Sequence, residues 1–484
     1  MASRSYEVAI IGGGPGGYPA GIRLGQLGKR AVVIERESLG GVCLNWGCIP
    51  SKALIHAANL ASEIREFGEH GISVQGLAVD ATKLQAWKEG VIKKQRGGVK
   101  SLLESNKCDV IKGDARITSQ NTLEVTSVSN GGGTEEIRFE HLILATGAAV
   151  IEIPGFAYDG EWVGYARHAV SYDPIPKELV IIGGGVIGTE LGMVYAKLGS
   201  KVTIVEMLPT ILTGTDPDLV RPITKRMKKL GIEVMLSAKA KGLKKNGKRG
   251  EVEVELGGEI KHLPADRVLV AVGFRSNVKG LGLEAAGVKT DERGWILVDD
   301  RCRTNVPHIY AVGDCTGAPL LAHRATKMGE VAAEVIAGLP AAYDVRAMPL
   351  AVFSEPEVAQ VGLTEADAVK AGHEITIGLF PISALGRAAA MNATEGLVKI
   401  VVDKKTEVIL GIGITAANAC DLIAEACLAL EMGALIDDLG LTVHAHPTFS
   451  EALMEAAKAA KGEAIHIVNR ARSAHGTARP TATR

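Results

Sequence analysis

The chain has 484 residues, of which 46% are hydrophobic and only 4% aromatic, and it contains 58 glycines. This length exceeds one hydrophobic core, and the glycine-rich, aromatic-poor composition favours α/β nucleotide-binding units over a β-sandwich. Lysines and arginines (54) nearly balance the acids (55), so the charge excludes a general attraction to nucleic acid or to anionic membrane surfaces.

The cysteine content and the start of the chain bear on the compartment. Seven cysteines in a chain of this size do not form a disulfide scaffold, which favours a reducing compartment. We recognise no signal peptide before the first apolar strand, and no apolar run reaches membrane-spanning length. We therefore expect a cytoplasmic protein without membrane, nucleic-acid or metal sites.

One internal repeat organises the chain. Residues 8–35 and 179–206 are both 28 residues long and agree at ten positions when they are aligned without a gap. Each contains a buried apolar strand, a glycine turn, a helix and a second apolar strand that ends in glutamate. This pattern predicts two βαβ nucleotide-binding domains.

The first repeat carries a Gly-x-Gly-x-x-Gly fingerprint at Gly12, Gly14 and Gly17, with Glu35 at its end. The first glycine permits a tight turn, the second lets a pyrophosphate approach the backbone, and the third allows close helix–strand packing. The helix N-terminus then faces the phosphates, and the acid accepts a hydrogen bond from a ribose hydroxyl. The motif alone is weak evidence, but the strand, helix and acid around it predict a dinucleotide site.

The segment after the first repeat, Gly-Gly-Val-Cys-Leu-Asn-Trp-Gly-Cys-Ile-Pro-Ser-Lys-Ala-Leu, places four residues between Cys43 and Cys48. A disulfide that closes so small a loop would connect no distant parts of the chain and would contribute little stability. The role of such a bond would be redox chemistry, in which the disulfide is reduced and formed again. The alternative is two unrelated core cysteines, because cysteine is often buried as a small apolar residue.

This segment closely resembles the redox disulfide of the pyridine nucleotide-disulfide oxidoreductases, and it is most similar to the branch of that family that oxidises dihydrolipoamide. The resemblance covers residues 5–465. It implies a redox-active Cys43–Cys48 disulfide that lies against a flavin, so the first repeat would hold FAD and the second NAD. It also implies a homodimer whose partners are the lipoyl domains and acyltransferase core of 2-oxoacid dehydrogenase complexes, or the glycine-cleavage carrier protein.

The resemblance adds further residues to the flavin site. Lys52 would lie beside the flavin ring and pair with Glu190, because a cation there stabilises reduced flavin and a nearby thiolate. The turn that contains Thr146 and Gly147 closes the first domain, and Asp314 matches the aspartate that binds the ribityl chain. Taken alone, Lys52 and Glu190 would be surface charges, and Asp314 would end a strand at a turn.

The second repeat carries the fingerprint at Gly183, Gly185 and Gly188, and Glu206 follows the first glycine by 23 residues. A carboxylate there binds a free 2′-hydroxyl and repels a 2′-phosphate, and the next three residues offer no arginine, so we expect NAD rather than NADP. The family's Gly-Arg-x-Pro-Asn appears here as Gly-Phe-Arg-Ser-Asn from Gly273, a departure that affects only local contacts.

Near the carboxyl terminus, His446 lies five residues before Glu451. Thiol–disulfide exchange proceeds through thiolates, and imidazole, with a pKa of ~6.5, is the side chain best matched to making one at neutral pH. Such a pair could equally be an ordinary helix start. The segment is similar to the family's His-Pro-Thr motif, which implies that His446 is the base and that Glu451 orients it. His444 is expected to play a supporting part.

The predicted fold class is α/β, with two Rossmann-like nucleotide-binding domains and a C-terminal α+β dimerisation domain. The expected boundaries are 1–154 (FAD-binding), 155–277 (NAD-binding), 278–349 (central, completing the FAD site) and 350–484 (dimerisation). Local patterns predict helices in 49–106, a β-meander in 117–139 interrupted by glycines 131–133, strands at 396–402 and 408–414, and a helix at 416–432. The tail from residue 470, with four arginines and no acid, is expected to be disordered.

Other functions remain as alternatives. A glutathione reductase-like enzyme would favour Pro-Lys-Lys after the second cysteine and arginines for a 2′-phosphate, and neither is present. A mercuric reductase would add a C-terminal cysteine pair, whereas the last cysteine here is Cys427, and a soluble transhydrogenase would lack the pair at Cys43 and Cys48. A non-catalytic scaffold subunit is disfavoured by the full set of cysteines, base and fingerprints.

Overall fold

The computed structural model describes residues 3–128, 132–246 and 249–469. The chain folds into two compact units, each of which is discontinuous in sequence. The first unit comprises Met1–Lys177, Lys241–Glu253 and Pro264–Asp344, and the second comprises Glu178–Ala240, Val254–Leu263 and Val345–Arg484.

The first unit contains a mixed sheet with helices packed around it, in which strand Thr122–Ser127 runs antiparallel to its two neighbours. Its strands are Ser3–Ile11, Ala31–Glu35, Asp109–Ser119, Thr122–Ser127, Thr134–Leu144, Ala148–Val150, Val163–Gly164, Arg267–Val270, Phe274–Ser276 and Ile309–Ala311. Its α-helices are Gly17–Gln26, Gly41–Trp46, Cys48–Glu66, Ala81–Ser105, Ala166–Ala169, Leu283–Ala286 and Ala322–Ile336, with 3₁₀ helices at Phe67–His70 and Gly313–Thr316.

Strand Ser3–Ile11 lies at the centre of this sheet. It pairs in parallel with Ala31–Glu35 on one side and with Thr134–Leu144 on the other, and Ile309–Ala311 pairs in parallel with Thr134–Leu144. Its carboxyl-terminal residues are buried on both faces, which explains the continuous apolar run in the sequence. The parallel order brings the carboxyl ends of these strands to one edge of the sheet, where α/β proteins bind ligands.

The second unit contains the second repeat and the C-terminal part of the chain. Its strands are Glu178–Ile182, Lys201–Val205, Glu233–Met235, Leu350–Val352, Glu357–Gly362, Ile375–Pro381, Leu397–Asp403 and Ile409–Ala416. Its α-helices are Val186–Lys197, Pro217–Lys229, Glu365–Lys370, Gly386–Ala390, Ala419–Met432, Ile436–Leu441 and Glu451–Lys461, with a 3₁₀ helix at Ile382–Ala384. Strands Ala238–Asn246, Arg249–Leu256 and Glu259–Ala265 are divided between the two units.

Two kinds of sheet occur in the second unit. The repeat forms a parallel array in which Lys201–Val205 lies between Glu178–Ile182 and Glu233–Met235. The C-terminal part forms an antiparallel five-stranded sheet, and helix Glu451–Lys461 packs against its edge strand Ile375–Pro381 so closely that a Cβ on Gly378 would overlap the helix backbone. This sheet and its helices share one apolar core.

The predicted fold class is confirmed: both repeats form βαβ units, and an α+β region follows them. The predicted helices in 49–106 and the meander in 117–139 are also confirmed, although the outer strands of the meander run from residue 109 to residue 144. The last helix of the prediction begins at Ala419 rather than at 416, because strand Ile409–Ala416 continues to its end in the antiparallel sheet. The tail from residue 470 and Gly131 lie outside the described residues, and the four domain boundaries stay predictions.

Candidate active site

The first fingerprint forms a tight turn at the carboxyl end of strand Ser3–Ile11. Gly12 has φ of +105°, and a Cβ there would overlap the carbonyl oxygen of Ala145. A Cβ on Gly17 would overlap the carbonyl oxygen of Gly12, so only glycine lets helix Gly17–Gln26 pack against the strand end. The turn therefore leaves its backbone open to a phosphate at the helix N-terminus.

Glu35 is fixed at this turn by two backbone donors. The N–H of Gly13 donates to Oε2 at 2.8 Å, and the N–H of Glu37 donates to Oε1 at 2.7 Å. Each carboxylate oxygen has a second lone pair, so the acid is oriented by the protein and still able to accept from a ribose hydroxyl.

The second repeat reproduces this arrangement. Gly183 has φ of +108°, and a Cβ on Gly188 would overlap its carbonyl oxygen. The N–H groups of Gly184 and Leu208 donate to the two carboxylate oxygens of Glu206 at 2.6 and 2.8 Å. Helix Val186–Lys197 begins directly after Gly185, which has no Cβ to obstruct an approaching pyrophosphate.

The cysteine segment lies directly against the first fingerprint. The N–H of Gly40 donates to the carbonyl of Gly13 at 2.7 Å, and a Cβ on Gly41 would lie 2.7 Å from the Cα of Gly14. Asn45 is buried and closes the segment, because its amide donates to the carbonyls of Leu39 and Gly41 at 3.0 and 2.9 Å. These bonds bring the cysteines to the nucleotide-binding edge of the sheet.

Cys43 and Cys48 form a disulfide, with their Cα atoms 4.7 Å apart. Cys43 lies in the short helix Gly41–Trp46, whereas Cys48 is the first residue of the 19-residue helix Cys48–Glu66. Both side chains are partly exposed. Because the N-terminus of a helix carries partial positive charge, it stabilises a thiolate at Cys48 more than one at Cys43. Lys52 lies one turn later on the same face of the helix as Cys48.

Three further predicted flavin residues meet the fingerprint at the same edge. The N–H of Ala145 donates to the carbonyl of Ile11 at 2.8 Å, which places Thr146 and Gly147 beside the first turn. Asp314 follows strand Ile309–Ala311, the parallel neighbour of Thr134–Leu144.

Asp314 is an acid suited to a neutral hydrogen-bonding ligand. Burial raises the pKa of its carboxyl, and the charge of Arg324 opposes that rise only in part. Arg324 itself donates to the carbonyl of Gly317 at 2.7 Å and to Thr316 Oγ1 at 2.9 Å, which fixes the 3₁₀ turn that carries Asp314. A partly buried carboxyl beside an open glycine turn fits FAD, whose ribityl hydroxyls would donate to it.

Gly273 lies in the first unit, next to the turn that contains Thr146. Its carbonyl accepts from the N–H of Ile151 at 3.1 Å, and Asn277 donates through Nδ2 to the carbonyl of Thr146 at 3.0 Å. Strand Phe274–Ser276 pairs antiparallel with Ala148–Val150. Although this Gly-Phe-Arg-Ser-Asn segment departs from the family pattern, its last residue, Asn277, is hydrogen-bonded to the turn that contains Thr146.

Glu190 is buried on helix Val186–Lys197 of the second unit, and its Oε1 accepts from the N–H of Phe353 at 2.9 Å. Glu355, two residues after Phe353, forms ion pairs with Lys197 and, at 2.6 Å, with Nη2 of Arg226. These contacts hold helix Val186–Lys197 against the segment that leads into the antiparallel sheet. The pairing of Lys52 with Glu190 stays a prediction.

His446 and Glu451 are in contact, as the motif implies. Nδ1 of His446 lies 2.9 Å from Oε1 of Glu451, and Oε2 of Glu451 accepts from the N–H of Thr448 at 2.8 Å. Desolvation raises the pKa of Glu451, but the hydrogen bonds from Thr448 and His446 outweigh it and lower that pKa below its usual value. The histidine ring is 77% exposed, and among the described residues none bonds its Nε2, which is therefore open to accept a proton.

Family models match almost the whole of the chain. The model described as pyridine nucleotide-disulphide oxidoreductase matches residues 6–329, and the dimerisation domain of the same family matches residues 348–457. The chain belongs to this family. Its cofactors are FAD and NAD, and its C-terminal region is the family's dimerisation domain.

Similar proteins within the family are named dihydrolipoyl dehydrogenase. The chain is 46% identical to those of Haloferax volcanii and Geobacillus stearothermophilus, in each case over 96% of this chain and 98% of the relative. Among solved structures, LpdA from Mycobacterium tuberculosis has a TM-score of 0.86 at 26% identity, covering 95% of this chain and 99% of that one. The HOCl-induced flavoprotein disulfide reductase RclA from Escherichia coli has a TM-score of 0.82 at 28% identity, covering 93% and 98%.

Sequence reasoning missed the residue between the first two glycines of each fingerprint, which is itself a glycine in both repeats. Gly13 and Gly184 supply the N–H groups that orient Glu35 and Glu206, and a Cβ on either would lie within 3 Å of a neighbouring side chain. The signal was present, because both repeats have glycine at this position. Within the described residues, no helix is long and apolar enough to cross a membrane.

Proposed function

We infer that the chain oxidises dihydrolipoamide carried on a lipoyl domain to lipoamide, and reduces NAD to NADH. The observation that carries this function is the Cys43–Cys48 disulfide, which is held against the first fingerprint by the hydrogen bond from Gly40 to Gly13 and by the close approach of Gly41 to Gly14. The relatives that are 41–46% identical over nearly the whole chain and named dihydrolipoyl dehydrogenase support the choice of substrate.

The reaction begins with proton transfer to His446. Its Nε2 accepts the proton of one substrate thiol, and the resulting thiolate attacks the sulfur of Cys43. A new substrate–Cys43 bond forms, the Cys43–Cys48 bond breaks, and Cys48 leaves as a thiolate at the N-terminus of its helix. The second substrate thiol, once deprotonated, attacks the mixed disulfide, and Cys43 leaves and takes up a proton. The products are lipoamide and a reduced cysteine pair.

The first unit supplies the residues that hold FAD, which, when bound, accepts the two electrons of the reduced pair and passes them to NAD. Gly12, Gly14 and Gly17 leave the backbone and helix N-terminus open to its pyrophosphate, and Glu35 accepts from its ribose. Asp314 binds the ribityl chain.

Other residues complete the flavin surroundings. Lys52 would place a positive charge beside the flavin ring, and Thr146 and Gly147 would form the adjoining turn.

The second repeat holds NAD. Gly183, Gly185 and Gly188 leave room for the pyrophosphate. Glu206 is oriented by Gly184 and Leu208 to accept from a free 2′-hydroxyl, and its charge repels a 2′-phosphate.

The proposed working form is a cytoplasmic homodimer in which Cys43 and Cys48 of one subunit act with His446 of the other. Its partners are lipoyl domains and the acyltransferase core of a 2-oxoacid dehydrogenase complex, or the glycine-cleavage carrier protein. The dimerisation domain and the names of the relatives support this assembly.

The test is direct. The purified protein should be yellow, and it should oxidise NADH with lipoamide as acceptor, whereas Cys48→Ser should bind the same flavin and lack this turnover. A wild-type protein that binds FAD but fails to turn over lipoamide would contradict the proposal and favour a scaffold role.

A further inference from the structure

The loop that carries the base has no regular structure. Residues 442–450 contain neither helix nor strand, and among the described residues the exposed ring of His446 is hydrogen-bonded by Glu451 alone. The position of Nε2 therefore depends on whatever fixes the backbone of this loop. A displacement of about 1 Å at a catalytic group is enough to lower a rate by orders of magnitude.

The second histidine of the loop is in the opposite situation. The side chain of His444 is 5% exposed, its Nδ1 lies 2.9 Å from the carbonyl oxygen of Thr442, and its Nε2 lies 2.7 Å from Oε1 of Glu425. Glu425 belongs to helix Ala419–Met432. This ring therefore ties the start of the loop to a helix of the dimerisation domain.

Each ring nitrogen of His444 faces an oxygen atom: Nδ1 faces the carbonyl of Thr442, and Nε2 faces the carboxyl group of Glu425. Hydrogen bonds that involve a carboxylate are about twice as strong as bonds between neutral groups. Glu425 is therefore the partner that holds this ring most strongly.

The end of the loop is fixed separately. Thr448 donates through Oγ1 to the carbonyl of Ala445 at 2.7 Å and through its N–H to Glu451 at 2.8 Å. Glu451 in turn holds the ring of His446. The loop is therefore held on both sides of the base. Its end is held by residues of the motif, and its start is held by Glu425 through His444 and by a bond from Thr442 Oγ1 to the carbonyl of Asp438 at 2.6 Å.

We propose that Glu425 is a positioning residue for this reaction: it holds the buried ring of His444 and thereby fixes the loop that presents His446. The proposal rests on the role proposed for His446 as the base. Both ring nitrogens of His444 are already engaged, with Thr442 and Glu425, which leaves the exposed His446 as the ring that meets the substrate. Among the described contacts Glu425 touches neither the disulfide nor His446, so it acts only through the loop.

The first test replaces Glu425. In Glu425→Leu the kcat for dihydrolipoamide oxidation should fall about tenfold, as expected for loss of one charge-assisted hydrogen bond. Glu425→Gln, which keeps an acceptor oxygen without the charge, should lose less. The KM for NAD and the NADH-dependent reduction of artificial dyes should not change, since neither uses the base.

A matched control is available in the same domain. His373 also pairs with a carboxylate, with Nδ1 2.8 Å from Oδ2 of Asp403, but it has no link to the loop among the described contacts. His373→Gln should leave kcat unchanged. An equal loss in His373→Gln would overturn the proposal, because any broken histidine–carboxylate pair would then have the same effect.

A double-mutant cycle separates positioning from general damage. If Glu425 acts through His446, then Glu425→Leu should cause no further loss in a His446→Gln background. A further tenfold loss there would overturn the proposal. If His446→Gln alone retains full activity, the assignment of His446 as the base is wrong. If His446→Gln is inactive but Glu425→Leu retains full activity, His446 remains the base and the proposal for Glu425 is wrong.

Discussion

At the scale of single residues, the two cysteines differ in their helices. Cys48 begins a helix of 19 residues, whereas Cys43 lies in one of six residues. The longer helix stabilises a thiolate at its first residue, so the bond between the cysteines is polarised toward attack at Cys43. From this asymmetry we predict that Cys43 exchanges with the substrate and that Cys48 holds the thiolate charge.

Replacing each cysteine tests this division. Cys43→Ser should abolish lipoamide turnover but retain NADH oxidation by artificial dyes, because the dyes do not need the disulfide. Its Cys48 should still give a long-wavelength thiolate-to-flavin absorption, which Cys48→Ser should lack. A band seen only in Cys48→Ser would reverse the two roles.

Glu206 is the residue that should select the coenzyme. Removing a charge-assisted hydrogen bond costs about 1.5 to 3 kcal/mol, or roughly ten- to a hundredfold in binding. Glu206→Ala should therefore weaken NAD and relax the exclusion of NADP, measured as the ratio of kcat/KM for the two coenzymes.

Glu35 is the control for this variant, because it occupies the same position in the first repeat and accepts from the corresponding backbone N–H groups. Glu35→Ala should lower FAD retention and leave the coenzyme ratio of the remaining holoenzyme unchanged. An unchanged ratio in Glu206→Ala would show that another residue reads the ribose.

At the scale of elements, a buried lysine joins the second repeat to the antiparallel sheet. Lys399, on strand Leu397–Asp403, is 4% exposed and lies 2.8 Å from Oδ2 of Asp216, which caps helix Pro217–Lys229. It also lies 2.6 Å from Oε2 of Glu365. Desolvation lowers the pKa of Lys399, but its bonds to Asp216 and Glu365 raise it above the usual value.

Lys399→Met should leave Asp216 buried and unpaired and lower the free energy of unfolding by about 3 to 5 kcal/mol, measured by chemical denaturation. Because the folded pKa is raised, the contribution should be complete below the unfolded value of 10.5 and lost only as the pH rises through the folded one. Lys225→Met is the control: its pair with Glu395 is exposed, at 60% and 39%, and should contribute less than about 1 kcal/mol. Equal losses in the two variants would contradict this account.

Elements with a local signal were predictable, and contacts between distant residues were not. The repeats were visible because apolar strands, glycine turns and terminal acids have fixed spacing within each 28-residue segment. The partners of Lys399 are 183 and 181 residues away at Asp216 and Asp218, and no local pattern pairs them. Glu425 was missed for the same reason, since a glutamate on an amphipathic helix is typical of a solvated face.

At the scale of the whole molecule, the dimer is the main remaining prediction. Cys43→Ser and His446→Gln homodimers should each be nearly inactive, the second because the substrate thiolate no longer forms readily at neutral pH. If each site combines residues of two subunits, a mixed dimer contains one site with both defects and one with neither. Dimers isolated with two affinity tags should then recover up to half of the wild-type activity.

A mixed dimer as inactive as its parents would place the base and the disulfide of one site in the same chain. The dimerisation domain was predictable from the C-terminal strands and helices together with the histidine motif, and the family match confirms it.

The proposed reaction passes electrons from dihydrolipoamide to NAD. A steady-state assay of the yellow wild-type protein can compare dihydrolipoamide plus NAD with glutathione disulfide plus NADPH. We expect turnover of dihydrolipoamide with NAD and essentially none of glutathione disulfide with NADPH. Preference for glutathione disulfide and NADPH would contradict both the substrate and the coenzyme assigned here.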